Sequence, residues 1–343
     1  MRKNRRGLIL VSVIYLYSTL ISCSKYNPKE DEIKDIKIGI SLYEQDDVFI
    51  SSIVSNIEDI AKEKSKDKNY KISFKIEDAK SNQYNQNEQV DMFIDQEYDV
   101  MCINLADRRS ASTIINKAKN ANIPVIFFNR EPVEEDMNIW NKVYYVGAQA
   151  EQSGIMQGDI VIEEYKKNPL NVDRDNDGKI QYVMLEGEQG HQDAYIRTEY
   201  SVKRLVDSGL KLERLESEIA NWSRAEAADK MANIIEKHSG EIELIISNND
   251  DMALGAIDVI KKSNGNIPIV VGVDGIEDAF KAINNGEMTG TVISDSYKQA
   301  EAIVDIAIRL VLKDEFKSNV IDERYIRASH VIVTKENIEE YIK

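Results

Sequence analysis

The chain has few of the residues that mark catalytic or disulfide-rich proteins. Its 343 residues include two cysteines, three histidines and five prolines. One cysteine, Cys23, falls at the end of a leader, so Cys102 alone is left for a folded body and an intramolecular disulfide is excluded. The motifs HExxH, GxSxG and GxxxxGK[ST] are absent, as is GxGxxG after a strand. These absences argue against an enzyme.

Positive charge is also scarce. Lys and Arg together number 44 against 60 Asp and Glu, and the formal net charge is -16. A surface of this sign repels the phosphate backbone of DNA or RNA. We therefore expect no nucleic-acid partner.

The amino terminus carries an apolar run that is too short for an ordinary membrane span. This run, from Gly7 to Ile21, follows the basic start Met-Arg-Lys-Asn-Arg-Arg, as in an export signal. It ends in Leu-Ile-Ser-Cys, which resembles the bacterial lipobox, where the Cys receives a diacylglyceryl group. The pattern predicts a lipoprotein signal peptide over residues 1–22 and a protein of the periplasm or cell surface, lipid-anchored through Cys23. The alternative is an ordinary cleaved leader.

The rest of the sequence predicts an α/β protein with two lobes. Residues 23–35 are polar and aperiodic, as expected of a tether. From Ile36 onward, short apolar runs alternate with amphipathic stretches, the pattern of βαβ units around parallel sheets. The chain is long enough for two cores of about 100–200 residues each. We expect two Rossmann-like lobes, each a parallel sheet flanked by helices. The predicted strands are Ile36–Leu42, Ile72–Ile76, Val100–Asn104 and Pro124–Phe128 in the first lobe, and Ile180–Leu185, Leu212–Ile219, Leu244–Ser247 and Pro268–Val273 in the second.

Polar and aromatic side chains recur where these strands end. Ligands of open α/β sheets bind at the carboxyl ends of the strands, so the side chains there are candidates for a cleft between the lobes. A purely structural role is the alternative at several positions. Asp47 could be a helix N-cap, Phe49 and Trp222 could be core residues, and Asp193 with Arg197 could form a solvated i, i+4 ion pair. The candidate residues are Asp47, Phe49, Asn129, His191, Asp193, Arg197, Trp222, Asn249 and Asp274.

This mixture of residue types suits the recognition of a sugar. A pyranose has hydroxyls around its rim, which carboxylates, amides and Arg can bind, and weakly polar faces, which aromatic rings can cover. A glycoside-processing enzyme is the alternative from another class, because pairs such as Asp46 and Asp47 could serve a glycosidase. Nothing in the sequence indicates that one carboxyl of such a pair stays protonated opposite the other.

A separate segment predicts a metal site. Residues 173–181 read Asp-Arg-Asp-Asn-Asp-Gly-Lys-Ile-Gln, with carboxylates at positions 1, 3 and 5 and Gly at position 6, as in a Ca²⁺ loop. Position 12 is Met184, so the usual closing Glu is missing and another segment must complete the shell. The alternative is a solvated acidic turn. The oxygen ligands expected from the loop are Asp173, Asp175, Asp177, the Lys179 carbonyl and the Gln181 side chain.

From Ile38 to Tyr341 the chain resembles the bacterial periplasmic D-galactose/D-glucose-binding proteins. The resemblance rests on Ile-Asn-Leu at 103–105, Pro-Val-Ile-Phe-Phe-Asn-Arg-Glu-Pro at 124–132, Tyr-Tyr-Val-Gly at 144–147, Ser-Gly-Ile-Met-Gln-Gly-Asp at 153–159 and Gly-Thr-Val at 290–292. It implies the type I periplasmic binding protein fold with a three-segment hinge. It also implies a monomer that captures galactose, glucose or another monosaccharide for the membrane subunits of an ABC importer and, in some species, for a chemoreceptor.

The resemblance assigns roles to individual residues. It implies that Phe49 and Trp222 sandwich the sugar ring, that the polar candidates bind its hydroxyls, and that Glu243 supplies the missing ligand of the calcium loop. One position departs from the family pattern, since Ser294 stands where the family has a second-lobe Asn that binds the sugar. The implied lobes are 36–146 with 295–328, and 147–294 with 329–343.

Overall fold

The protein is described here from a computed structural model that covers residues 33–66, 68–238, 240–263, 265–312 and 324–342. The expected signal peptide, the lipidation site Cys23 and nearly all of the expected tether lie outside these residues. Within them, no helix is both long enough and apolar enough to cross a membrane.

A six-stranded parallel sheet forms the centre of the first lobe. Its strands run in the spatial order β11-β5-β4-β3-β1-β2. Strands such as β4 are buried along their whole length, because helices cover both faces of the sheet. The elements are β1 (Lys34–Leu42), α1 (Val48–Ser65), β2 (Tyr70–Asp78), α2 (Gln83–Asp95), β3 (Val100–Ile103), α3 (Ala111–Ala121), β4 (Val125–Phe128), α4 (Glu134–Met137) and β5 (Val143–Ala148). Helix α10 (Ser296–Val311) and strand β11 (Tyr325–Ala328) return to this lobe later in the chain.

The second lobe repeats this architecture with one difference. Its sheet runs β12-β10-β9-β8-β6-β7, and β12 pairs antiparallel with β10, so the expected all-parallel sheet is mixed at this edge. Strand β12 runs opposite to β10 because the chain returns to this lobe through the hinge, so that β12 starts beside the carboxyl end of β10. The elements are α5 (Ala150–Lys167), β6 (Ile180–Glu186), α6 (Gln192–Asp207), β7 (Leu212–Ile219), α7 (Arg224–Lys237), β8 (Leu244–Ser247), α8 (Asp250–Lys262), β9 (Ile269–Asp274), α9 (Glu277–Asn284), β10 (Gly290–Ser294) and β12 (His330–Thr334).

Three chain segments join the lobes, at the places where β5 leads to α5, β10 leads to α10, and β11 leads to β12. Among the residues that the structure describes, the buried apolar side chains form four clusters, one on each face of each sheet. The predicted two-lobed α/β fold is confirmed. Because all the strands of a βαβ series point the same way, the carboxyl ends of both sheets face the space between the lobes.

Candidate functional site

A cavity lies between the two lobes and is lined by residues of both. Nine of the ten sequence-predicted site residues line it, and Ser294 does not. The lining residues are Tyr43, Asp47, Phe49, Asn129, Arg130, His191, Asp193, Arg197, Trp222, Asn249 and Asp274.

Asp47 and Phe49 reach the cavity from the start of helix α1. The Asp47 carboxylate caps this helix by accepting the Ile50 amide at 2.9 Å, and its other oxygen accepts the Tyr43 hydroxyl at 2.5 Å. Phe49 packs into the first-lobe core and also faces the cavity. Asp47 is therefore a helix N-cap and Phe49 a core residue, as the structural alternatives predicted, and both also line the cavity. The two roles are compatible because a capping or packed side chain can still present an edge to a ligand.

Asn129 follows strand β4 in a left-handed backbone conformation, with φ 60°. Asn adopts this conformation more readily than most residues other than Gly. The backbone N–H of Asn129 donates to the Val146 carbonyl at 3.0 Å, and the side-chain oxygen of Asn129 accepts a hydrogen bond from Asn104 Nδ2 at 3.2 Å. The side-chain NH₂ of Asn129 is therefore the group left to face a ligand.

His191, Asp193 and Arg197 come from the first turns of helix α6. His191 Nδ1 accepts the Asp193 amide at 3.1 Å, so the proton of the neutral ring is on Nε2. Burial, reinforced by the charges of Arg130 and Arg197, holds the pKa of His191 well below its usual range. The ring thus remains neutral at physiological pH and offers a hydrogen-bond donor.

Arg197 is the central cation of the second-lobe wall. Its Nη2 donates to Asp193 at 3.3 Å, its Nη1 donates to the Asn248 carbonyl at 2.9 Å, and Nη1 lies 3.9 Å from Asp274. The Asp193 and Arg197 side chains are only 7% and 6% exposed, so the interpretation as a solvated ion pair is wrong. Burial raises the pKa of Asp193, and the neighbouring Arg197 charge opposes that rise.

Asp274 ends strand β9 with φ 121°, a strained backbone. The segment after it is held by Asp250, whose carboxylate accepts the amides of Gly275 at 2.7 Å and Ile276 at 3.1 Å. Asp250 is fully buried, and this burial raises its pKa to about 7. Burial also raises the pKa of Asp274 well above its usual range, against the Arg197 charge. These contacts fix the Asp274 carboxyl at the cavity wall.

Trp222 lines the cavity from the turn after strand β7, with φ 66°. Its ring packs directly on Gly187, where even one added methyl group would come within 2.1 Å of the indole. The His191 ring meets it edge-on at 5.0 Å between centroids. Asn249 Nδ2 donates to the Trp222 carbonyl at 3.2 Å, which holds the turn in place.

The sequence reasoning missed two lining residues and one supporting residue. Tyr43 and Arg130 line the cavity, with the Arg130 guanidinium stacked 3.6 Å from the Tyr43 ring centre. Both stand next to predicted site segments, at the end of a strand, which is the signal that could have found them. Asp250 follows the predicted Asn249 directly. Ser294 is instead buried at the hinge, where its hydroxyl accepts Gln299 Nε2 at 3.2 Å.

The cavity combines three aromatic side chains, those of Tyr43, Phe49 and Trp222, with hydrogen-bond donors and acceptors. Phe49 belongs to the first lobe and Trp222 to the second. Carboxyl groups accept hydrogen bonds, guanidinium groups and the His191 ring donate them, and the two amides do both. Such a wall offers both donors and acceptors to the hydroxyls of a small polyol. His191 is the one histidine among the lining residues, and its Nδ1 is occupied as a helix cap.

The acidic loop lies on the second lobe, before strand β6. One carboxylate oxygen each from Asp173, Asp175 and Asp177 lie within 4.8 Å of one another. Gly178 has φ 84°, which gives the loop its sharp turn. The Lys179 ammonium pairs with Glu213 at 2.9 Å, so Lys179 can offer the loop only its main-chain carbonyl.

Gln181 and Glu243 stand beside these carboxylates. Gln181 is 8% exposed, and its Oε1 is a buried acceptor with no hydrogen-bond donor among the described residues. Glu243 is 4% exposed and accepts the amides of Asp175 at 3.2 Å and Gln181 at 3.1 Å. The unpaired Gln181 oxygen and the neighbouring carboxylate oxygens are the kind of metal ligands that Ca²⁺ prefers.

Comparison with known proteins decides the family. Residues 38–315 match the family described as "Periplasmic binding protein domain". The chain belongs to the periplasmic binding protein family. Its members are binders rather than enzymes, so we describe this chain as an extracytoplasmic solute-binding protein.

Individual relatives agree with this assignment. The "D-galactose/methyl-galactoside binding periplasmic protein MglB" of Haemophilus influenzae is 37% identical over 313 residues, which cover 90% of this chain and 92% of that protein. A solved ABC transporter solute binding protein of Bacillus halodurans, with bound myo-inositol, superposes with a TM-score of 0.74 at 28% identity and covers 91% of this chain and 98% of that one. A galactofuranose binding protein at 20% identity has a TM-score of 0.76 and shares the fold, with 89% and 96% of the two chains covered.

Proposed function

We propose that this periplasmic binding protein captures a hexose, D-galactose or D-glucose, between its lobes and delivers it to the membrane subunits of an ABC importer. The observation that carries the proposal is the cavity, where aromatic side chains from both lobes accompany carboxyl, amide and guanidinium groups. The 37% identical relative named for galactose binding supports the same ligand class. Another monosaccharide is the competing ligand.

Capture in this site requires no chemical step. The hydroxyls of the sugar rim pair with Asp47, Asn129, Asp193, Asn249 and Asp274, while the less polar faces lie against the aromatic rings. Each buried polar group that meets a hydroxyl recovers part of the free energy that its own burial cost. A ligand lacking a matching hydroxyl leaves such a group unpaired, which is how the site would discriminate between sugars.

Isothermal titration against a panel of monosaccharides tests the proposal. Galactose, glucose or both should bind with one-to-one stoichiometry and more tightly than ribose, xylose, mannose and myo-inositol. Tighter binding of a pentose or a cyclitol would contradict the hexose assignment and leave the binding function intact. Absence of binding to every member of the panel would contradict the sugar-binding proposal.

We also propose that Ca²⁺ occupies the acidic loop. The ligands would be Asp173, Asp175, Asp177, the Lys179 carbonyl, Gln181 and Glu243. The buried Gln181 Oε1 supports this set, because buried polar atoms normally have a partner and a Ca²⁺ ion would supply one for this oxygen. The ion would brace the start of strand β6 against the loop before strand β8, and thereby stabilise the second lobe.

The proposed location follows from the amino terminus. A lipid on Cys23 would hold the protein at a membrane, near the importer. We propose a chemoreceptor as a further partner. Several acyl chains on one Cys would anchor firmly, whereas a single chain holds weakly. Membrane fractions of cells expressing the full chain should contain the protein, and Cys23→Ala should release it. A variant that remains with the membranes would contradict the anchor.

A further inference from the structure

The three nitrogen atoms of the Arg130 guanidinium have different surroundings at the edge of the cavity. Its Nη1 donates to the Ala106 carbonyl of its own lobe at 3.3 Å, and its Nη2 donates to Glu188 Oε2 of the opposite lobe at 2.5 Å. The remaining donor, Nε, is buried and has no hydrogen-bond partner among the described residues. Arg130 is 4% exposed, so this unpaired donor cannot turn to bulk water.

The first lobe holds the Arg130 guanidinium in a fixed plane. Its carbon lies 3.6 Å from the centre of the Tyr43 ring, within the range of a cation–π contact. The Tyr43 hydroxyl is in turn tied to Asp47 on the same lobe. A planar guanidinium that is stacked in this way presents its donors in set directions, which a flexible lysine ammonium could not do.

The partner of Arg130 across the cleft belongs to the second lobe. Glu188 follows strand β6, and it is the one carboxylate within ion-pair distance of Arg130 among the residues that the structure describes. Its side chain is 37% exposed, so the pair lies at the rim, where salt can screen it. Rotation of the lobes apart about the hinge would separate these two groups, since one is fixed to each sheet.

We propose that Arg130 is a further ligand-binding residue that also clamps the cleft: Nε donates to the captured sugar while Nη2 holds Glu188 of the opposite lobe. The ligand contact rests on the proposed hexose function, whereas the clamp does not. Because the ion pair forms only when the lobes approach, it raises the population of the closed form, and apparent affinity rises with that population. One guanidinium therefore joins binding to closure.

Three variants test the clamp and the ligand contact separately. Glu188→Gln keeps the shape and a hydrogen-bond acceptor but removes the charge, and it should weaken galactose binding about tenfold, the effect of 1.4 kcal/mol. The control is Arg109→Ala, which breaks an ion pair with Asp107 inside one lobe at 3.0 Å and should leave affinity within about twofold. Arg130→Lys in the Glu188→Gln background should weaken binding further, because the Nε donor is lost after the clamp is already broken.

Two more measurements make each outcome decisive. Raising NaCl from about 0.05 to 0.5 M should weaken binding by the native protein more than binding by Glu188→Gln, because only the former has an ion pair to screen. Small-angle scattering without sugar should show a more open average shape for Glu188→Gln, while circular dichroism confirms that both proteins are folded.

Unchanged affinity together with an unchanged scattering profile in Glu188→Gln would overturn the clamp. Equal affinity of Glu188→Gln and the double variant would overturn the Nε contact. If the native protein bound no hexose at all, the proposed function would fail with the Nε contact, and the scattering comparison would still decide the clamp.

Discussion

The two walls of the cavity hold their polar groups in different ways. In the first lobe, Asp47 and Asn129 are only partly buried, and they form hydrogen bonds with neutral groups such as the Tyr43 hydroxyl and the Asn104 amide. In the second lobe, Asp193, Arg197 and Asp274 are almost completely buried, and both carboxylates lie within ion-pair distance of Arg197. Apart from Arg130, the cavity charges that are already removed from water before any ligand arrives belong to the second wall, which is therefore the more preorganised half of the site.

This difference has an energetic consequence. A buried ion pair adds little net stability, but removal of one partner leaves an uncompensated charge in a medium of low polarity. Arg197 faces two carboxyls and also has a buried Nε without a partner among the described residues. The second wall should therefore respond to substitution more strongly than the first.

The largest expected effect is that of Arg197→Ala. Loss of this cation leaves Asp193 and Asp274 buried without a counter-charge, which should lower the free energy of unfolding by about 3–5 kcal/mol and abolish measurable hexose binding. Urea unfolding and titration calorimetry measure the two effects. Arg204→Ala is a matched control on the same helix, because its pair with Asp159 is about one-third exposed; it should cost about 1 kcal/mol or less. Equal losses in both variants would contradict the comparison.

Removal of the proposed Ca²⁺ tests whether the stability of the second lobe depends on an ion in the acidic loop. An ion bound only by the folded state adds about 2.7 kcal/mol at a concentration one hundred times its dissociation constant. Chelation should therefore lower the melting temperature, and hydrogen exchange should accelerate in strands β6 and β8 more than in the first lobe. Asp175→Asn should reduce the sensitivity to chelator. A melting temperature indifferent to chelator would identify the loop as a plain acidic turn.

Trp222 and Phe49 allow the two walls to be compared through their apolar contacts with the ligand. Trp222 is half-buried, so Trp222→Ala should lose about 1–3 kcal/mol of binding free energy with a smaller effect on folding. Phe49 belongs to the first-lobe core. Phe49→Ala should therefore lose binding and also about 3–5 kcal/mol of stability. Calorimetry and urea unfolding on both variants separate the two roles, and unchanged affinity in Trp222→Ala would remove this ring from the site.

Local patterns in the sequence predicted much of this architecture. Leu212–Ile219 and Leu244–Ser247 are strands with the predicted bounds. In Leu244–Ser247 the short apolar run between turn residues is a local signal for a buried strand. The i, i+4 spacing placed Asp193 and Arg197 on one helix face, but it carried no information on their burial. The Arg130 contact with Glu188 depends on how the lobes face each other, which no local pattern encodes.

Ser294 is the position where the smallest effect is expected. Its hydroxyl lies at the end of strand β10 beside the hinge, buried and bonded to Gln299 rather than facing the cavity. An Asn at this position has a longer side chain with both donors and an acceptor, so it can extend towards one edge of a bound sugar. A neutral hydrogen bond of that kind contributes about 0.5–1.5 kcal/mol.

We therefore expect Ser294→Asn to strengthen binding of galactose or glucose by roughly tenfold or less, the equivalent of about 1.4 kcal/mol, and to change the ratio between the two epimers. Parallel titrations with both sugars measure the ratio directly. Ser294→Ala is the matched control, since it removes the hydroxyl without adding reach and should leave the ratio unchanged. If Ser294→Asn weakened both sugars equally, Ser294 would be adapted to a different ligand, and the second wall would have to be matched to that ligand instead of a hexose.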